Sequence, residues 1–111
     1  MKDALTGALA AVPGDGTAVI FVGDVADLPL IRAAAVDHAL VLMVLAPTVP
    51  ILDRNMLLAA VGVLAVDCAP RARIAALDVR PGADVDDVVA TALFLATAES
   101  TTGQIVPVTP R

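Results

Sequence analysis

The chain has 111 residues, of which 59% are hydrophobic and 2% aromatic, and its formal net charge is −5. This length indicates a single domain over residues 1–111, and the acidic balance argues against a nucleic-acid partner, because phosphates attract basic patches. His38 and Cys68 are the only residues of their types, which excludes an internal disulfide, and we expect no metal site.

The hydrophobic content makes a membrane protein the first alternative to test. The longest run without a charged residue, residues 39–52, contains Pro47 and Pro50. A spanning helix needs about 20 apolar residues, and the N-terminus has no long apolar stretch of the kind found in signal peptides. We therefore expect a cytoplasmic protein with no membrane partner, in which oligomerisation covers the excess apolar surface.

The first predicted elements are a helix and a strand. Residues 2–12 are compatible with a short helix that ends at Pro13 and Gly14, because these residue types interrupt helices. Residues 17–22 form a β-branched run bounded by glycines. This pattern is typical of a buried strand.

A second helix and strand follow. Residues 27–37 predict a helix with Pro29 in its first turn, where a missing backbone N–H costs little. Residues 39–46 form a continuous apolar run. The length of that run and the proline after it favour a strand over a helix.

The third predicted helix is apolar around nearly its whole circumference. It covers residues 53–68, with Asp53 as the predicted N-cap. A helix of this kind is buried on all sides, either within the fold or against a partner. A third strand is predicted over residues 73–79.

The last predicted helix, residues 84–98, begins with an acidic turn in which Asp84 can serve as the cap. Residues 100–103 indicate a turn, and residues 104–108 indicate a short final strand. Pro107 in that strand marks an edge position or the strand's end, because proline cannot donate to a sheet.

Helices and strands therefore alternate along the chain. Such alternation predicts parallel βαβ units with right-handed crossovers. The continuous apolar strands agree, because a parallel sheet is buried on both faces. The predicted fold is a small three-layer α/β structure with about four parallel strands.

Four short motifs follow one another in the second half of the chain. They are Val63-Leu64-Ala65-Val66-Asp67, a strand that leads into Pro81-Gly82, Asp86-Asp87-Val88-Val89-Ala90 with Phe94-Leu95-Ala96, and Thr102-Gly103-Gln104-Ile105. With these motifs, residues 57–109 resemble the C-terminal half of the short-chain dehydrogenase/reductase family. The resemblance implies that the chain has a Rossmann-like fold and is a truncated, degenerate relative of that family.

The resemblance also implies a site for a dinucleotide. In the family, the pyrophosphate lies over a glycine-rich turn after the first strand, where this chain has Gly23 followed by the acidic Asp24. The family's nicotinamide ring lies against the turn matched by Pro81 and Gly82. Gly23, Pro81 and Gly82 are therefore the candidate cofactor-binding residues.

The family's catalytic chemistry has no counterpart among the matched positions. A Tyr and a Lys are implied where counting back from Leu64 places Pro50 and Arg54. The chain has no Tyr, its only Lys is Lys2 and its only Ser is Ser100. We therefore expect no catalytic residue and no required cofactor.

These observations predict a non-catalytic protein that acts through assembly. The expected partner is a second copy of the chain or a full-length dehydrogenase of the same family, in which case this chain is an accessory subunit. The predicted interface residues are Met56, Leu57, Ala60, Val61, Leu64 and Phe94. Two alternatives stay open, namely a nucleotide-sensing or oxidoreductase-type protein with residual affinity for NAD(P), and a small receiver-like signalling module.

Other candidate site residues have simpler structural interpretations. His38, next to Asp37, fits the C-terminus of a helix, and Cys68 fits a small buried side chain without a nearby base. The remaining candidates are turn or cap residues (Asp24, Asp27, Asp84, Asp86, Asp87) and arginines that flank the third strand (Arg71, Arg73, Arg80).

Overall fold

The computed structural model describes residues 1–10, 16–98 and 102–110. Within that part, helices and strands alternate as the sequence predicts. They are α1 (Lys2–Ala10), β1 (Thr17–Phe21), α2 (Leu28–Asp37), β2 (Leu40–Leu45), α3 (Ile51–Cys68), β3 (Arg73–Val79), α4 (Val85–Thr97) and β4 (Gln104–Val108). The end of the first helix, predicted at residues 12–14, and the start of the last turn, residues 100–101, lie outside the described residues.

The four strands form one parallel sheet in the order β1-β2-β3-β4. This confirms the predicted fold class, a small α/β structure with a parallel sheet. The apolar strands β2 and β3 are buried on both faces, as expected for the centre of a parallel sheet. Pro107 lies in β4, which is an edge strand as predicted.

The residues predicted at the start of a helix are confirmed for α4 and α2, and the prediction for α3 is wrong. Asp84 caps α4 by accepting a hydrogen bond from the Asp86 amide at 2.8 Å, and a proline occupies the first turn of α2. Asp53 is not the cap of α3, because that helix begins at Ile51 with Pro50 before it. The Asp53 carboxylate lies instead in the first turn, where it complements the positive end of the helix dipole.

The helices divide between the two faces of the sheet. One buried cluster joins α2 and α3 to one face, with Val41, Met43 and Ile74 among its strand residues. A second cluster joins α1 and α4 to the opposite face, with Leu42 and Leu77. Neighbouring residues of a strand point to opposite faces, so the molecule has three layers with a core on each side of the sheet.

The placement of α4 corrects the expectation that every crossover is right-handed. Each connection moves one strand along the sheet in the same direction, yet α2 and α3 cross on one face and α4 crosses on the other. The β3–α4–β4 crossover therefore has the opposite hand to the first two, whereas nearly all parallel crossovers share one hand. The chain thus leaves β2 and β3 toward opposite faces of the sheet.

Candidate functional site

The connections that follow β2 and β3 leave toward opposite faces of the sheet, and at such a point open α/β sheets bind their ligands in a crevice outside the carboxyl ends of the strands. In this chain Arg54 lies at the ends of β2 and β3, in the first turn of α3, and is 4% exposed. Its guanidinium donates hydrogen bonds to Asp78 in β3 and to the backbone carbonyl oxygen of Ala46 after β2. The side chain therefore ties together the ends of two strands and the start of α3.

Asp78 is the acidic centre of this cluster. It is 2% exposed, and its two carboxylate oxygens have different partners. Arg54 pairs with Oδ1, and Arg80 donates to Oδ2 from Nε at 2.9 Å and from Nη2 at 2.8 Å. A buried carboxylate is costly unless it is paired and hydrogen-bonded, and here both of its oxygens are satisfied.

The cluster of Arg54, Asp78 and Arg80, which we call the lock, connects α3 to the sheet through ion pairs with the buried Asp78 carboxylate. An arginine keeps its proton in proteins, and the Asp78 carboxylate is engaged on both oxygens. Among the described residues, no buried side-chain nitrogen or oxygen lacks a partner. The three charged side chains of the cluster are thus engaged with one another.

The turn after β1 that contains Gly23 is held by the Asp27 carboxylate. Its amide donates to the Asp27 carboxylate at 2.7 Å, and the Asp24 amide points to the same oxygen at 3.4 Å. A Cβ atom built on Gly23 would meet only that Asp27 oxygen, at 3.8 Å. The amide that would approach a pyrophosphate is thus hydrogen-bonded to a carboxylate in this structure.

The turn at Pro81 and Gly82 has its own conformational explanation. Gly82 has a φ of +82°, a left-handed conformation that glycine adopts without a Cβ clash. A Cβ there would lie 3.6 Å from Pro110, which is an ordinary contact. Gly23 follows β1 whereas this turn follows β3, so the predicted cofactor residues lie two strand spacings apart with β2 between them.

The remaining histidine and cysteine lie at the opposite, amino edge of the sheet. The His38 Nδ1 atom is 2.9 Å from the carbonyl oxygen of Ala34, at the end of α2. Cys68 is a buried free thiol at the end of α3. Neither side chain reaches the carboxyl-edge crevice.

The three arginines that flank β3 hydrogen-bond to oxygen atoms of the protein and lie at both ends of the strand. Arg71 donates to the Ala35 carbonyl at 3.4 Å near the end of α2. Arg73 donates to the carbonyls of Leu95, at 3.3 Å, and Ala98 at the end of α4, where a cation complements the helix dipole. Arg80 lies at the other end of β3, in the lock. The turn and cap interpretation also holds for Asp24, whose carboxylate accepts from the Ala26 amide at 2.9 Å.

Asp78 is the site residue that the sequence reasoning missed. The available signal was a single carboxylate within the otherwise apolar run IAALDV of the strand. Burial of such a run on both faces favours a paired and hydrogen-bonded carboxylate. Arg54 was singled out only by counting back from Leu64, and its pairing with Asp78 emerges from the packing of α3 on the sheet.

The predicted interface residues divide between the core and the surface. Leu57, Val61 and Leu64 are at most 5% exposed and pack on the protein's own sheet. They are therefore unavailable to a partner, and Ala60 is only partly exposed. Met56 and Phe94 are 46% and 65% exposed, but on helices that lie on opposite faces of the sheet. An interface on α3 must use the side of the helix that faces away from the sheet.

That side of α3 carries a continuous apolar surface, which we call the outer stripe. Its exposed members are Leu52, Met56, Ala59, Val63 and Val66. Val63 and Val66 are 66% and 79% exposed. Beside the stripe, an apolar groove of about 280 Å³ lies between α2 and α3, lined by Leu28, Pro29, Arg32, Ala60, Val63 and Leu64. An exposed ion pair between Arg32 and Asp67 joins the two helices.

Within residues 1–10, 16–98 and 102–110, no helix combines the length and the apolar character that a membrane span requires. Within the same ranges, no group of three or more histidine, cysteine, aspartate or glutamate side chains is arranged to hold a metal ion.

Comparison with known proteins identifies one family. The sequence model of the SDR-like family, described as short chain dehydrogenase-like protein, matches residues 7–108. The match covers both halves of the chain, including β1 and β2. A search of curated proteins and a search of solved structures each found no match.

Proposed function

This chain belongs to the short chain dehydrogenase-like family, and we propose that it is a member that acts by assembly and not by catalysis. The observation that carries this proposal is the outer stripe of α3. An exposed apolar row of this length is unusual on an isolated domain and marks an interaction surface. The proposed partner is a second copy of the chain, and a full-length dehydrogenase of the family is the alternative partner.

The replacement of the family's catalytic tyrosine and lysine supports the non-catalytic half of the proposal. Arg54 stands where the resemblance implies a catalytic lysine, and it is committed to Asp78 and the Ala46 carbonyl. Pro50 stands where a tyrosine is implied and has no proton to transfer. Residual NAD(P) binding stays a prediction from the resemblance alone, because no contact at Gly23, Pro81 or Gly82 favours it.

The composition of the outer stripe supports the assembly half. Its five residues lie on one side of α3, and all of them are apolar and exposed, as in a helix seam that packs against another helix. Small residues let two helices approach closely, and Ala59 belongs to the stripe while Gly62 lies beside it. A Cβ placed on Gly62 would meet nothing within 4 Å. The outer stripe therefore presents a row of apolar side chains to a second copy of α3, with open space beside them at Gly62.

The test is to place a charge in the stripe and compare the mass in solution. Val66→Glu puts a carboxylate at the most exposed valine of α3, and burying it unpaired in an interface is unfavourable. The matched control is Val85→Glu, which adds the same charge at an exposed valine in the first turn of α4. That helix lies on the opposite face of the sheet, and an acidic residue is favoured in its first turn.

The readout is molar mass by size-exclusion chromatography with light scattering, with circular dichroism as the check on folding. We expect a multimer for the wild type and for Val85→Glu, and a smaller species with an unchanged spectrum for Val66→Glu. A wild-type mass of one chain would overturn self-assembly. Purification of the tagged chain from its source cells tests the alternative partner, because a full-length dehydrogenase would then appear in the complex.

A further inference from the structure

The two edges of the sheet differ in how they are protected. Edge strands usually carry charges, prolines or bulges, because their unpaired backbone groups attract other strands. β4 has Pro107 as such a device. β1, with the sequence TAVIF, has no charged residue, proline or glycine. Its composition is that of an interior strand.

The backbone of β1 directs a regular set of hydrogen-bonding groups away from β2. The Gly16 carbonyl accepts from the Leu40 amide at 3.0 Å, and the Val22 amide donates to the Val44 carbonyl at 3.1 Å. In a parallel ladder, alternate residues face the same neighbour, so the even-numbered residues of β1 face β2. The amide and carbonyl groups of Thr17, Val19 and Phe21 therefore point outward.

No strand pairs with that outward side within residues 1–10, 16–98 and 102–110. All five residues of β1 are only partly buried, in contrast to the fully buried β2. Ala18 and Ile20 contribute to the core beneath α2, and Val19 and Phe21 to the core on the other face. Both cores are thus apolar up to the open edge.

We infer that β1 pairs with β1 of a second copy across a two-fold axis through Val19, which joins two four-stranded sheets into one continuous sheet. A two-fold perpendicular to the sheet makes the paired strands antiparallel. It sets Val19 opposite its own counterpart and Thr17 opposite Phe21. These are the residues whose backbone groups point outward, so every pair can exchange two hydrogen bonds.

A second copy fits this edge because the outward groups are symmetric about Val19. In an isologous interface, when one residue contacts a second residue of the partner, the same contact recurs with the two chains exchanged. The pairing of Thr17 with Phe21, and of Val19 with itself, satisfies that condition. β1 itself has no charged residue, and the Lys2 ammonium lies over the face of the Phe21 ring, 5.4 Å from its centroid. The surface is separate from the outer stripe of α3, so this inference does not rest on the proposed function.

The direct test is disulfide cross-linking between two introduced thiols at the axis. Val19→Cys places them on opposing residues of a hydrogen-bonded antiparallel pair, whose Cα atoms lie about 5.5 Å apart, within disulfide range. The control is Ile105→Cys, on the protected edge strand β4. Both are made in the Val66→Glu background, so that association through α3 does not contribute.

Paired thiols have an effective concentration in the millimolar range, so at about 10 µM protein we expect Val19→Cys to cross-link roughly 100-fold faster than Ile105→Cys. The product is a covalent dimer on a non-reducing gel. Equal rates for the two variants, or no cross-link from a folded Val19→Cys protein, would overturn the inference. The Val66→Glu change removes only the α3 contact. Failure of the α3 proposal therefore appears as an equal molar mass for the wild type and Val66→Glu, whereas failure of the β1 pairing appears as equal cross-linking rates.

A second variant tests the backbone pairing itself. Val19→Pro removes an amide that points outward, a change that an edge strand tolerates within its own sheet. Val19→Thr is the control because it keeps both the shape and the amide. In the Val66→Glu background, we expect a monomer for Val19→Pro and a dimer for Val19→Thr. A Val19→Pro protein that folds and remains a dimer would contradict the strand pairing.

Discussion

The two sides of α3 have nearly the same amino-acid chemistry and opposite environments. The inner side includes Leu57 and Val61, which have no exposed surface. The outer stripe includes Val63 and Val66, which are largely exposed. The two ion pairs of the helix show the same contrast, since Arg54–Asp78 is buried and Arg32–Asp67 is exposed.

The comparison shows that hydrophobicity alone does not orient this helix. A helix that is apolar all round has no preferred side, so the side that faces the sheet is chosen by other groups. Arg54 supplies such a choice, because its buried pairing with Asp78 and Ala46 fixes the rotation of the helix on the sheet. Once that rotation is fixed, the outer stripe is the side that faces away from the sheet.

The largest expected effect comes from breaking the buried ion pair. Arg54→Met leaves Asp78 buried with one partner fewer, and loss of one partner of a buried pair typically costs about 3–5 kcal/mol. We expect about 3 kcal/mol here, the lower end of that range, because Arg80 still pairs with Asp78. The free energy of unfolding, measured by urea denaturation in the Val66→Glu background, gives the value.

The matched control for that change is Arg32→Met, which breaks the exposed pair of the same helix. Exposed ion pairs contribute about 0–1 kcal/mol. Equal losses for Arg54→Met and Arg32→Met would contradict the distinction between the two sides of α3.

A second pair of substitutions compares adjacent residues on the two sides. Leu57→Ala opens a cavity under the helix and should lower the free energy of unfolding by about 2–5 kcal/mol. Met56→Ala removes an exposed side chain and should change it by less than about 0.5 kcal/mol. Denaturation of both variants in the Val66→Glu background measures the contrast. If Met56→Ala were as damaging as Leu57→Ala, the assigned rotation of α3 would be wrong.

The smallest expected effect on stability comes from a substitution on the exposed side of α3. Gly62 lies within α3 with open space where a Cβ would be. Gly62→Ala should therefore stabilise the folded protein by about 0.5–1 kcal/mol, because alanine loses less backbone entropy in a helix. Thermal denaturation in the Val66→Glu background measures the gain. Destabilisation there would show that the outer side is more crowded than the structure indicates.

Much of the fold is readable from the sequence. Residues 73–79 and 104–108 are strands with the predicted bounds, because short, largely apolar runs between glycine and proline breakers leave few alternatives. Asp84 caps α4 as expected. The alternation of helices and strands also predicts the parallel sheet.

The tertiary structure alone decided three features. It placed α4 on the opposite face from α2 and α3, because the choice of face depends on packing over the whole sheet and not on local sequence. It paired Arg54 with Asp78, which are 24 positions apart. It also set which apolar residues of α3 are core and which form the outer stripe, because a helix without apolar periodicity acquires its orientation only by docking on the sheet.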